Sequence, residues 1–499
     1  MNTPQKNLHH GILVCALSAS LALSACGGSG ATSGPLLVAA PSATSPNNSS
    51  AAPPAVIAGW TWEGGSDTAN AAGAYGTQGV PAATNVPGAR SGATQWMEAG
   101  NLWIFGGIGP NASGTPVYLN DLWMYDHATA EWTWVGGADT SGASGVYGTE
   151  GTASVTNVPG ARDSTAFWED ASGNFWLFGG GGADSTGTQG DLNDLWEFSP
   201  VTQEWTWEGG SNTVGASGVY GTEGQPAATN IPGARAAAAS TTDASGDLWI
   251  FGGDGYDSSG TQGFLNDLWM FNPATREWTW ESGSSDATNV AGVYGTQGQP
   301  AAANVPGSRT GASMWADASG NLWLFGGDIN DSQNLISGSI NDLWMFNPAT
   351  REWTWEGGDD GLNAGNDTGT YGTQGVAAPT NLPGGRLNSA AWVDASGNLW
   401  LAGGIDGALY SNGDQGFYSD AWMFNPSTHE WTWEFGTDTI NQAGAYGTMG
   451  ATATTNWPGG RDLNEALVDR SGDVWFFGGN GVDATGAQGY LNDLWKYVP

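Results

Sequence analysis

Six arginines recur in one setting. The pattern Asn-x-Pro-Gly-x-Arg ends at Arg90, Arg162, Arg235, Arg309, Arg386 and Arg461, at spacings of 72, 73, 74, 77 and 75 residues. Upstream of each stands Tyr-Gly-Thr-x-Gly, carrying Tyr75, Tyr147, Tyr220, Tyr294, Tyr371 and Tyr446. The 499-residue chain holds 11 Lys and Arg against 48 Asp and Glu, a net charge of -37, so six cations in one repeated place need a reason. A guanidinium is a planar fork of donors suited to carboxylates and other oxygens. Two chemistries fit it here. A ring of Arg around a channel mouth can hold an anionic group, with the Tyr offering a sugar an apolar face and a polar tip. Alternatively, each Arg forks onto loop carbonyls or onto the Asp of Asn-Asp-Leu-Trp, a role in the fold that recurrence in every copy favours. Trp457, in Asn456-Trp457-Pro458, departs from its own repeat. Exposed on its loop it is a ligand contact; as a plug on that loop it is packing.

Other chemistries lack their residues. His9, His10, His127, His429, Cys15 and Cys26 are all the His and Cys there are. They offer no convergent set for zinc or copper, so no metal or other cofactor is expected. The many Gly-Gly pairs are not phosphate loops, since no Lys-Ser or Lys-Thr follows them. Loops such as Asp257–Gly263 are rich in oxygen but lack the EF-hand spacing for calcium. With only Lys6 and Lys496 as lysines, the chain has no basic patch for nucleic acid or for an anionic membrane surface.

The elements that position the arginines repeat with them. After each Arg comes a short run often ending in Trp (Trp96, Trp168, Trp315, Trp392), then a turn such as Asp317–Asn321. An aromatic run ending in Gly-Gly follows, as in Leu322–Gly327, and after a loop comes Asn341–Phe346. A tight turn, Asn347–Glu352, leads to Trp353-Thr354-Trp355. Short runs rich in Trp, Phe, Leu and Val, bounded by Gly, Pro, Asn and Asp, read as strands. They are labelled A, B, C and D. Adjacent residues in B and C are both apolar, and neighbours on a strand face opposite ways, so both sheet faces are expected to be buried. Six four-stranded sheets stacked radially satisfy this and protect their edges.

The Gly-Gly after strand B, the aromatic in strand C and the Trp opening strand D resemble the kelch repeat. That resemblance covers residues 58–499 and implies an all-β, six-bladed kelch-type β-propeller with four antiparallel strands per blade, akin to the central domain of galactose oxidase. The period of about 74 exceeds the usual ~50, and the excess falls in one loop. The first recognisable strand, Trp60-Thr61-Trp62, is a D strand without A, B or C before it, and Leu494–Tyr497 is a C strand without a D after it. The expectation is an N-terminal strand that joins the last blade. A–B and C–D turns are short, whereas B–C and D–A connections are long, and any ligand site is expected on the long-loop face.

Residues 1–25 read as a signal peptide, with an apolar run from Gly11 to Leu23 too short to span a bilayer. Leu23-Ser24-Ala25-Cys26 resembles the bacterial lipobox, which implies a lipid-modified Cys26 at the new N-terminus. Gly27 rather than Asp after it implies the outer membrane by the same resemblance. Residues 26–57 continue as an uncharged Gly/Ser/Ala/Pro tether.

Copper oxidase chemistry is excluded, because no Cys follows Cys26 and both downstream His fall in C–D turns. No copy shows an acid, base and nucleophile that break the repeat. The expectation is therefore a monomeric, membrane-anchored, non-catalytic binding module of the cell envelope, with the bilayer and a glycan or envelope protein as partners. A sugar-active enzyme on the same scaffold, or a passive surface coat, stands as the alternative.

Overall fold

A computed structural model describes residues 58–331, 336–360, 369–406, 416–462 and 465–499. Cys26 and the segments expected to be a signal peptide and a tether lie outside the described residues, as do parts of the fourth and fifth B–C loops.

Six antiparallel sheets carry the order A-B-C-D among the described residues; five have four strands, and the last has a fifth, Arg461–Asp462, paired with its B strand. Blade 3 is typical, with Ala239–Thr242 as A, Leu248–Phe251 as B, Leu268–Asn272 as C and Glu277–Ser282 as D. The turns between strands are set by single side chains. In the A–B turn, Asp243 Oδ1 accepts from the amides of Ser245 and Asp247, while Oδ2 accepts from Trp249 Nε1. In the C–D turn, Asn272 Oδ1 accepts from the amides of Ala274 and Thr275, and Arg276 takes a left-handed φ of 58°. Such Asx turns are the local reason for Asp and Asn at these places.

The sheets bury their faces against each other. Trp168 and Trp176 of blade 2 pack with Ile250, Trp269 and Trp278 of blade 3. Ile104 and Trp123 of blade 1 pack in the same way with Trp475, Phe477 and Leu494 of blade 6. In that last blade the D strand is Gly59–Gly64, which pairs antiparallel with the C strand, Gln488–Val498, with Trp62 opposite Trp495.

The Gly-Gly pair after strand B has a definite task. Gly253 N donates to Arg309 O of the following blade at 2.9 Å, and Gly327 N to Arg386 O at 2.8 Å. The same bond runs from the last blade to the first, from Gly479 N to Arg90 O at 2.9 Å. The preceding glycine is left-handed, and a Cβ on Gly252 would lie 2.6 Å from Arg309 O. Only glycine lets the two backbones meet.

One element differs from the expectation. The B–C connections are not plain loops. Past the Gly-Gly the strands resume as narrow ribbons, such as Asp254–Tyr256 with Gln262–Phe264, and the Arg at the start of A joins them through pairing of Arg235 with Gly255. These ribbons extend each blade on the long-loop side.

Candidate active site at the long-loop mouth

The six arginines lie inside the blades. In blade 3, Arg235 Nη1 and Nη2 grip Asp267 Oδ1 and Oδ2, both at 2.7 Å. Nη1 also donates to Gly252 O and Nε to Gly233 O. Asp267 Oδ2 takes two further bonds, from Tyr220 OH at 2.6 Å and from Trp269 Nε1 at 2.7 Å. The same box is built by Arg90, Asp121, Tyr75 and Trp123 in blade 1. Arg162 with Tyr147, Arg309 with Tyr294, Arg386 with Tyr371 and Arg461 with Tyr446 repeat it on Asp194, Asp342, Asp420 and Asp493. Burial opposes both charges, yet the pairing prevails, leaving Arg235 raised and Asp267 lowered from their ordinary values. Burial first, then the carboxylate, pushes each of the six tyrosines far up. Arg235 is 1% exposed. The expected ring of ligand-binding Arg and Tyr is thus corrected to a ring of buried boxes that tie each A strand to its own C strand. Trp457 is corrected likewise. Its ring stands edge-on to Trp60 at 5.3 Å and to Phe435 at 5.2 Å, partly buried against the core between the last two blades.

The residues that follow the arginines differ between copies. That position holds Ser91, Asp163, Ala236, Thr310, Leu387 and Asp462. On the ribbons beyond the Gly-Gly pairs stand Asp191, Asp254, Asp328 and Asp406, from blades 2 to 5. Asp191 feels Asp254, Asp163 feels Asp191, and Asp328 feels Asp406. Tyr490 of blade 6 reaches the fields of both Asp163 and Asp462, while Tyr118 of blade 1 reaches Asp163 and Asp191. Gln262 Nε2 donates to Asp191 Oδ2 at 3.1 Å.

Asp462 is buried and Asp163, Asp191 and Asp328 are half-buried, with no Arg or Lys ion pair on these four among the described residues. Burial pushes Asp163 up to about 7, with Asp191 adding to it, and Asp462 up to about 8. Asp191 and Asp328 rise to about 6 by burial and a neighbouring carboxylate each. Asp462 is 4% exposed and its Oδ1 has no hydrogen-bond partner.

A cavity of about 380 Å³ is lined by the inner strands of all six blades. Glu465 faces it where the other copies hold Thr94, Ala166, Ala239, Ser313 and Ala390, and burial pushes Glu465 up to about 7. Gln95 lines the cavity from blade 1 with Oε1 unpartnered and Nε2 on Phe477 O at 3.4 Å. Among the described residues no His, Cys, Asp and Glu converge as a metal site. Carboxyls that hold a proton near neutral pH can both donate and accept one, which is the requirement for general acid–base chemistry.

Parts of the chain are similar to known proteins. A family described as the KLHDC2/KLHL20/DRC7 Kelch-repeats domain matches residues 221–357. N-acetylneuraminate epimerases of Escherichia coli O1:K1 and of Escherichia coli strain UTI89 are each 29% identical over 148 residues, 26% of this chain. The chain spans only 38% of the length of those relatives. A solved structure, that of YjhT, aligns with 84% of this chain and 95% of its own at 15% identity and a TM-score of 0.45.

The expectation of a non-catalytic protein is corrected by these findings. The matching relatives carry the name of an enzyme, and the copies that read as uniform differ at Asp163, Asp462 and Glu465. The sequence signal was present in the residues one and four places after each Arg, which become visible only when the copies are compared for difference. With six A-B-C-D sheets, Gly-Gly junctions between blades and a matching kelch-repeat family, the described chain is a kelch-repeat β-propeller.

Proposed function

We propose that this propeller is a sugar-active enzyme working by acid–base catalysis at the long-loop mouth. The observation that carries the reading is the pair Asp163, half-buried, and Asp462, buried, on different blades, which share Tyr490 and face no cation among the described residues. A reaction that interconverts sugar configurations needs one group to give a proton and another to take one. A pair whose pKa values stand near 7 and near 8 meets that need at neutral pH. The epimerase name of the relatives supports the same class of reaction. In this reading Asp462 donates, Asp163 accepts, and Glu465 and Gln95 hold the sugar ring from below.

The test is anomer or epimer exchange of free sugars, followed by NMR. Asp163→Asn and Asp462→Asn are each expected to lower kcat by about 10²–10⁴-fold with the fold intact. Exchange at the parent rate in both variants would remove the assignment.

We further propose that the protein is held on a bacterial membrane, the outer one, through lipid on Cys26. The lipobox-like Leu23–Cys26 supports this. Metabolic labelling with a palmitate analogue is expected to mark the parent and not Cys26→Ser; equal labelling of both would end the proposal.

A further inference from the structure

We infer that the mouth takes an uncharged sugar and turns away sugars bearing a carboxylate. The inference rests on the reading of this mouth as the active site.

From residue 58 onward the chain has ten Lys and Arg. Six are the buried box arginines, each spent on its Asp. Arg276 is held by Glu208, Arg351 by Glu281, Arg470 lies beside Glu98, and Lys496 lies between Glu63 and Asp473. Those four stand in C–D turns, in an A–B turn and on a C strand, away from the long-loop end. His127 packs on Trp475 and His429 pairs with Glu356 in the same C–D turns. Among the described residues no cation is left at the mouth to receive a carboxylate.

The groups that are there point the other way. Asp191, Asp254, Asp328 and Asp406 would each repel an anionic sugar, and in a half-buried site that repulsion is weakly screened. A like charge across a site is a strong device for rejecting the wrong partner. Independent of charge, two nine-tenths buried oxygens lack donors, Oδ1 of Asp462 at the mouth and Oε1 of Gln95 in the cavity. Sugar hydroxyls supply such donors. The cavity wall adds Ser240, Thr241 and Asn388, which bond hydroxyls and carry no charge.

The experiment uses the full chain and three matched probes at pH 7: N-acetylmannosamine, N-acetylneuraminate and mannosamine, which are uncharged, anionic and cationic. Exchange is read by NMR and binding by titration calorimetry. The uncharged probe is expected to exceed the anionic one by roughly tenfold or more in kcat/KM. In the double variant Asp191→Asn/Asp254→Asn that ratio should shrink by several-fold, a change that mere loss of folding would not produce. Equal or faster exchange of the anionic probe overturns the inference and leaves the enzyme reading standing. A preference for the cationic probe overturns it in favour of a charge-matched ligand. If no probe exchanges faster than in buffer yet the uncharged one alone binds, the enzyme reading falls and the charge assignment stands. If none binds, both fall.

Discussion

At the scale of single residues, the same charge chemistry appears in two opposite arrangements. In the boxes, Asp267 is buried with Arg235, Tyr220 and Trp269 all aimed at it. Removing one partner strands the other. Asp267→Ala is expected to cost about 3–5 kcal/mol, read from chemical denaturation, while an apolar replacement of both Arg235 and Asp267 should cost much less. At the mouth, Asp163 is half-buried and Asp462 buried, neither in an ion pair among the described residues, and their effect on stability has the reverse pH dependence. A carboxyl whose folded pKa lies below its unfolded value, such as Asp121 or Asp267, stabilises above the unfolded value, and that contribution is lost as pH falls. A carboxyl raised to about 7 or about 8 holds its proton more tightly when folded, so stability falls as pH rises from about 4 toward those values. Asp163→Asn/Asp462→Asn is therefore expected to raise Tm at pH 8 and leave it little changed at pH 4. An unchanged difference in Tm across that range would contradict the burial argument. The box residues were legible in the sequence, including Asp of Asn-Asp-Leu-Trp as an Arg partner, because six repetitions announce them. The mouth acids were not, because a site that breaks symmetry hides in the differences between copies.

At the scale of elements, strands A to D could be read from their aromatic runs, since a short run apolar on both faces has few other homes. The ribbons beyond Gly-Gly could not. Gly181–Ala183 is Gly-Gly-Ala, with nothing in its side chains to mark a strand, and it pairs only because the neighbouring backbones present it with partners. The junction glycines make a sharp prediction. Gly252→Ala forces a left-handed φ of 64° on alanine and drives its Cβ to 2.6 Å from Arg309 O. It should lower Tm more than alanine at Gly246, which is also left-handed but has open space around it. Equal losses would mean that backbone strain alone matters and blade contact does not. The N-terminal D strand is the other test. Deleting residues 58–64 exposes the C strand of blade 6 and removes Trp60 from its cluster with Phe476, Trp495 and Tyr497. The truncated protein is expected to melt well below the parent, and identical melting would refute that role.

At the scale of the whole molecule, the net charge of -37 is carried with very few cations, most of them locked in the boxes. The surface is left with a strongly negative field, which keeps such a molecule dispersed and repels other polyanions. Added salt is expected to raise Tm modestly by screening that self-repulsion. Gly59 lies opposite Val498, where every other blade has a C–D turn. The molecule is in effect a continuous band with one nick, and the place of that nick is a matter of chain order alone. A six-residue linker across it, with new ends opened in the C–D turn of blade 3 at Pro273–Arg276, would yield a rotated gene for the same object, its weakest seam moved half-way round the ring.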